Sequence, residues 1–196
     1  MMLAHDATPA AGHNHGHEAE ASPHVAHGGT PASMADATPV ATRFEGVTGQ
    51  PLVQPDVRES SGGVLETQLE AKLSPTTVAG RDVTSTVYEG SFPGPTLALW
   101  PGDTLRLKLI NSLDEATNIH THGFHVSPKD NSDNIYIHIG AGETFDYEYH
   151  LPDNHPSGIY WYHPHSHGLT AKQTTGGMAG AIIVRGGLDE IEGIAG

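Results

Sequence analysis

Thr104-Leu105-Arg106-Leu107-Lys108-Leu109-Ile110 sets leucine at every second position, with basic residues between. Successive side chains of an extended chain point to opposite faces, so this stretch has one apolar face and one charged face. A period of two predicts a β-strand half buried against a core. Working outward, Pro101-Gly102-Asp103 is a turn signal, and Thr96 to Trp100 ahead of it reads as a short strand. Farther upstream, Leu65, Thr67, Leu69, Ala71 and Leu73 alternate with polar residues in a strand that Pro75 is expected to end. Val83 to Tyr88 is rich in β-branched residues. The connector Glu89 to Pro95 holds two prolines and two glycines, which exclude helix. Downstream, Asn118 to His122, Asn134 to Ile139, Phe145 to Leu151, Gly158 to His163 and Ala179 to Val184 bring the count to about nine short strands. No segment carries a helical stripe longer than two turns. The fold class expected is all-β, a sandwich of roughly 125 residues.

Composition narrows the function. Lys and Arg total 9 against 23 Asp and Glu, a net charge of -14 over 196 residues. That balance argues against nucleic acid or an anionic membrane as partner and favours attraction of cations. There is no cysteine, which excludes a disulfide framework and any thiolate metal ligand. No apolar run approaches the ~18 residues of a membrane span. Met1 to Asp6 shows neither a basic n-region nor an apolar h-region, so no secretory signal is read there. Residues 1–58 are Ala-, His- and Pro-rich with scarce large apolar side chains, and a disordered leader is expected. Its tract Gly12-His13-Asn14-His15-Gly16-His17, with His24 and His27, could hold metal loosely or serve only as a polar spacer. The division expected is leader 1–58, folded domain 59–187, and the start of an interdomain linker at 188–196.

Two histidine pairs stand out, His120-Thr121-His122 and His163-Pro164-His165. In a strand, each pair would present two imidazoles on one face, about 7 Å apart along the backbone. Two such strands side by side would gather four imidazoles around one small volume. Neutral imidazole ligation suits copper, zinc, iron or nickel, with Cu(II) held tightest. Hydrogen-bonded strand histidines are the plain alternative.

Several stretches together resemble the N-terminal cupredoxin domain of the multicopper oxidases, the laccase-like enzymes. They are Tyr88-Glu89-Gly90-Ser91-Phe92-Pro93-Gly94-Pro95-Thr96-Leu97, Pro101-Gly102-Asp103-Thr104 and Ile119-His120-Thr121-His122-Gly123, followed by Gly158 to His165 and Gly177 to Val184. The resemblance runs over residues of about 62 to 187 and implies a Greek-key β-sandwich of cupredoxin (plastocyanin-like) type. It further implies that the chain supplies half of the eight histidine ligands of a three-copper cluster. His120 resembles the type 2 copper ligand, and His122, His163 and His165 resemble ligands of the type 3 pair. Asp133 sits where the family has an acidic residue that relays protons to dioxygen; a turn carboxylate is the alternative, given Asn131, Ser132 and Asn134 beside it. His167 follows the second pair and is not carried over as a ligand.

In the family, dioxygen becomes water as phenols, aromatic amines or metal ions give up single electrons through a type 1 copper held by Cys and His. With no Cys, this chain has no ordinary type 1 site. The expectation is a domain that is inactive alone and needs C-terminal cupredoxin domains, in cis or in trans. Family members are usually exported, so a periplasmic or extracellular location is implied. A free-standing copper-binding or storage module without oxidase activity is the alternative. A cupin-type zinc or iron enzyme fits less well, because Gly123 to Lys129 offers no Glu as a third ligand. His125, His138, His150 and His155 are read as surface or near-site residues, Trp161 and Tyr162 as packing, and Met178 as core.

Overall fold

A computed structural model describes residues 54–78 and 80–187. In chain order come β1 (Val57–Glu59), β2 (Val64–Val78), β3 (Arg81–Tyr88), β4 (Thr96–Leu99), β5 (Thr104–Asn111), β6 (His120–His122), β7 (Thr144–His150), β8 (Gly158–His163), the helix α1 (Thr170–Gly176) and β9 (Gly180–Val184). They form two sheets, one in the order β1-β4-β9-β8-β6 and one in the order β3-β2-β5-β7. The expected β-sandwich is therefore present. Residues of the leader before Gln54, its His-rich tract, and the linker expected from Leu188 lie outside the described residues.

The alternation in β5 does what it predicts: Leu105, Leu107 and Leu109 are buried, while Arg106 and Lys108 face outward. β5 pairs in parallel with β2 and antiparallel with β7, which brings Leu65, Leu69, Tyr147 and Tyr149 into the same layer. The facing sheet contributes Leu97, Leu99, Tyr162, Ile182 and Val184. Met178 is fully buried in this core.

Four sequence expectations are corrected. Pro75 does not end β2, which continues to Val78 against β3, with Pro75 opposite Thr84. Pairing with β5 stops at Ala71 and Asn111, so beyond that point β2 has only one neighbour. A proline, lacking an N–H, is tolerated where one edge of the strand is unpaired. For the same reason Leu73 is 64% exposed rather than in the core, because the β2–β3 ribbon has passed the end of the sandwich. Asn134 to Ile139 is not a strand and makes only a Thr117–Ile139 bridge. In place of that strand is β1, parallel to β4, which takes in Val57 and Arg58 from the stretch assigned to the leader.

The glycines of the two flanking motifs share one reason. Tyr162 is fully buried and its hydroxyl donates to the Pro95 carbonyl at 2.7 Å. A Cβ on Gly94 would stand 2.8 Å from that hydroxyl, and one on Gly180 would fall on the tyrosine ring itself. Both motifs leave space for one ring behind β8. Gly180→Ala is expected to cost about 1–3 kcal/mol through overpacking, read as a lower urea midpoint with unchanged cooperativity.

His155, read from the sequence as a surface or near-site residue, is buried. The His125 N–H donates to its Nε2 at 3.0 Å, and its Nδ1–H donates to the Pro156 carbonyl at 2.9 Å. The ring packs on Phe124 and Tyr160. Burial lowers its pKa, partly opposed by the Pro156 carbonyl. The neutral ring is the form the fold stabilises. Its contribution is complete above the unfolded value near 6.5 and is lost as pH falls through the lower folded value. Stability should therefore decline from about pH 6.5 downward, and His155→Gln should flatten that decline in urea titrations across the acid range.

Candidate metal centre

β6 and β8 run antiparallel with His120 directly opposite His163 and His122 opposite Trp161. Alternation then sends Thr121 and Tyr162 inward, where both are buried, and leaves the histidines on the other face of the sheet. Donor nitrogens of His120, His122 and His163 lie within 4.8 Å of one another. The His120 ring centroid is 5.6 Å from that of His122 and 5.3 Å from those of His163 and His165. The rings of all four histidines named from the sequence are thus gathered in one place. The second pair, however, is not held in a strand as the first is. β8 ends at His163, and His165 follows Pro164 in a loop.

Hydrogen bonds fix how these rings face. The His120 Nδ1–H donates to both oxygens of Asp133, at 3.1 and 3.0 Å, and the Thr121 N–H donates to the same carboxylate at 2.8 Å. The His163 Nδ1–H donates to the Pro164 carbonyl at 2.9 Å. Each bond leaves Nε2 of its ring as a lone-pair donor, and a carboxylate on Nδ1–H makes the imidazole a stronger ligand. Nε2 of His163 faces Nδ1 of His122 at 3.4 Å. Two nitrogens bound to one metal at about 2.0–2.1 Å each can span that separation, so the donors fit a transition metal. Burial lowers the His163 pKa; the Pro164 carbonyl opposes this, while the imidazoles of His120, His122 and His165 reinforce it. The neutral ring so favoured is the ligating form.

Asp133 reaches His120 because the loop after β6 folds back, with the Asp133 N–H donating to the Ser127 carbonyl and the Ser132 N–H to the Lys129 carbonyl. Its first visible role is to orient His120 and to cover the edge of β6 at Thr121. Trp161 stacks on both His122 and His163, with centroids 5.1 and 4.1 Å away. It forms one wall of the cluster.

Three supports escaped the sequence reading. The Asn118 side chain bonds the backbone of His165, Ile135 and Ile137. Tyr147 holds β6 from the other sheet by accepting the Ile119 N–H at 3.1 Å. Gln173 on α1 donates to Glu115 and to the Ala116 carbonyl, and accepts from Thr117. Only for Asn118 was there a sequence signal: a polar side chain placed two residues before a ligand pair. A cleft of about 380 Å³ lies beside His165, between residues 135–138 and 165–170. A larger groove, about 600 Å³, lies over β2, β5 and β7, in the sheet that carries no paired histidine. There Arg106 pairs with Glu148, and Lys108 with Asp146.

Known proteins resemble this chain in sequence and fold. A family profile described as multicopper oxidase matches residues 70–188, more than half of the chain. The chain is 36% identical over 138 residues to multicopper oxidase mco of Staphylococcus haemolyticus, covering 68% of this chain and 30% of that protein. It is 38% identical over 96 residues to copper resistance protein A of Pseudomonas syringae pv. tomato, covering 47% and 15%. The chain thus spans less than a third of the length of these relatives. Among solved structures, a multicopper oxidase from Campylobacter jejuni, described as a metallo-oxidase, superposes with a TM-score of 0.57 at 31% identity, covering 68% of this chain and 30% of that one. A laccase from Pediococcus acidilactici gives 0.63 at 25%, covering 72% and 31%. The sandwich is the cupredoxin-like one of these enzymes, and the chain belongs to the multicopper oxidase family.

Proposed function

We propose that this chain is the copper-binding N-terminal part of a multicopper oxidase, supplying half of the histidine ligands of a three-copper cluster. One observation carries the reading: four imidazoles, three with nitrogens inside 4.8 Å, converge on one face of β6 and β8. His120 takes the type 2 position, and His122, His163 and His165 take type 3 positions. When bound, copper would supply one-electron redox chemistry for reducing dioxygen to water while phenols, aromatic amines or metal ions are oxidised. The protein's part is to hold neutral imidazoles in fixed orientations through Asp133 and the Pro164 carbonyl, and to wall one side with Trp161. Asp133, already accepting from His120, is placed to pass protons toward the cluster. Because the chain has no Cys, the type 1 site and remaining ligands come from C-terminal cupredoxin domains, in cis or in trans. A periplasmic or extracellular setting follows from the same reading. No described helix is long and apolar enough to cross a membrane.

The full chain should take up Cu(II) at these histidines, seen as selective broadening of the amide NMR signals of Thr121, Tyr162 and His163, and should consume no dioxygen with a phenol. Mixing with a cupredoxin domain that carries the Cys-containing half should restore oxygen consumption. Copper uptake that never yields activity with such a partner would favour the storage-module reading. Phenol oxidation by the chain alone would overturn the shared-cluster reading.

Asp133→Ala should weaken Cu(II) binding about 10–100-fold, the usual cost of losing a partner behind a ligand. In the assembled oxidase, Asp133→Asn should lower kcat about 100-fold or more if the carboxylate moves protons, with little change in copper content. An unchanged kcat would leave Asp133 an orienting group only.

A further inference from the structure

The outer member of the second pair has no strand to hold it. β8 ends at His163, Pro164 has no N–H to donate, and the His165 side chain is exposed. A single side chain anchors its backbone: the His165 N–H donates to Asn118 Oδ1 at 2.7 Å. Asn118 is fully buried. Its Nδ2 donates to the carbonyls of Ile135 and Ile137, each at 3.0 Å. A primary amide offers two N–H groups and one carbonyl, and here all three are engaged. The amide cannot be flipped, because that would set its oxygen against two carbonyls and its N–H groups against another N–H. One side chain thereby joins the residues just before His120, the loop that follows Asp133, and the backbone of His165.

We propose that Asn118 is a positioning residue of the metal centre: acting through the His165 backbone, it sets the outer imidazole of the second pair relative to the first. This rests on the reading of the four histidines as copper ligands. Binding constellations tolerate errors of only about 0.5 Å, and a ligand carried on a loop is the one most in need of a tether. Asn118 does for His165 what the β6–β8 ladder does for His163. Its bonds to the Ile135 and Ile137 carbonyls fix the amide itself, so that its oxygen stays aimed at the His165 N–H.

The test is a double-mutant cycle on the full chain, with Cu(II) alone as the probe. Site occupancy is followed by the broadening of the Thr121 and Tyr162 amide signals, which separates this site from the histidines of the leader. Asn118→Leu, close in shape but unable to bond, should weaken Cu(II) binding about 10–100-fold while the spectrum stays dispersed. In a His165→Ala background, the same substitution should cost nothing further, because its effect runs through His165. Asn118→Asp, protonated in this buried place, keeps the acceptor for His165 and one of the two donors to Ile135 and Ile137. It should retain most of the affinity and the slow exchange of the His165 amide. This variant decides the matter if Asn118→Leu fails to fold. Wild-type affinity in Asn118→Leu, an equal loss with and without His165, or a loss in Asn118→Asp as large as in Asn118→Leu would each overturn the proposal. Failure of the wild-type site to take Cu(II) would overturn the metal reading itself.

Discussion

The direct cross-strand pairing of His120 with His163 is the constraint on which the site depends. Antiparallel pairs alternate the faces of both strands together, so one register decides whether His120, His122 and His163 share a side. A slip of one residue would turn the histidines of one strand toward the core, where an unpaired imidazole is costly. The register is secured from the buried side. Thr121 and Tyr162, the inward partners in the same ladder, are both buried, and the Tyr162 hydroxyl is tied to Pro95. The metal face is thus specified by what lies behind it.

That dependence gives the motif glycines a common meaning. Gly94 lies in the connector after β3 and Gly180 begins β9, far apart in sequence, yet both are kept without a side chain by the same tyrosine ring. A strong sequence signature here records the packing of one residue adjoining His163 rather than contact with metal. β6 is only three residues long, too short to hold its place by ladder bonds alone. Tyr147 fastens it across the sandwich, and Gln173 and Asn118 fasten the residues leading into it.

Much of this was legible in the chain. Alternation, β-branched and apolar runs, and turn signals together located eight of the nine strands of the described residues, and the two histidine pairs pointed to the site. What failed did so for reasons of context. Asn134 to Ile139 alternates as a strand would, yet its carbonyls at Ile135 and Ile137 accept side-chain bonds from Asn118 instead of ladder bonds, and Ile139 makes a single bridge to Thr117. Residues 170–176, with three threonines and a glycine, are poor helix formers. The helix is held by Gln173 and the Lys172–Glu115 ion pair, long-range contacts that no local pattern announces. The role of Asp133 was half visible. Its proximity to the first pair could be read, but its grip on His120 Nδ1 required the fold-back of the loop.

The arrangement also favours the neutral, ligating form of its most enclosed ring, His163. His163 sits where water is largely excluded and beside three other imidazoles, so its protonation is opposed. The single carboxylate that touches the cluster does so at His120 Nδ1, on the side away from the nitrogen left to bind. Had Asp133 faced Nε2, it would stand where a metal must approach that nitrogen. Placed as it is, it strengthens the ligand while leaving the coordinating face of the ring free. An acidic protein surface can then draw cations toward the site without an acidic group occupying the positions they would take.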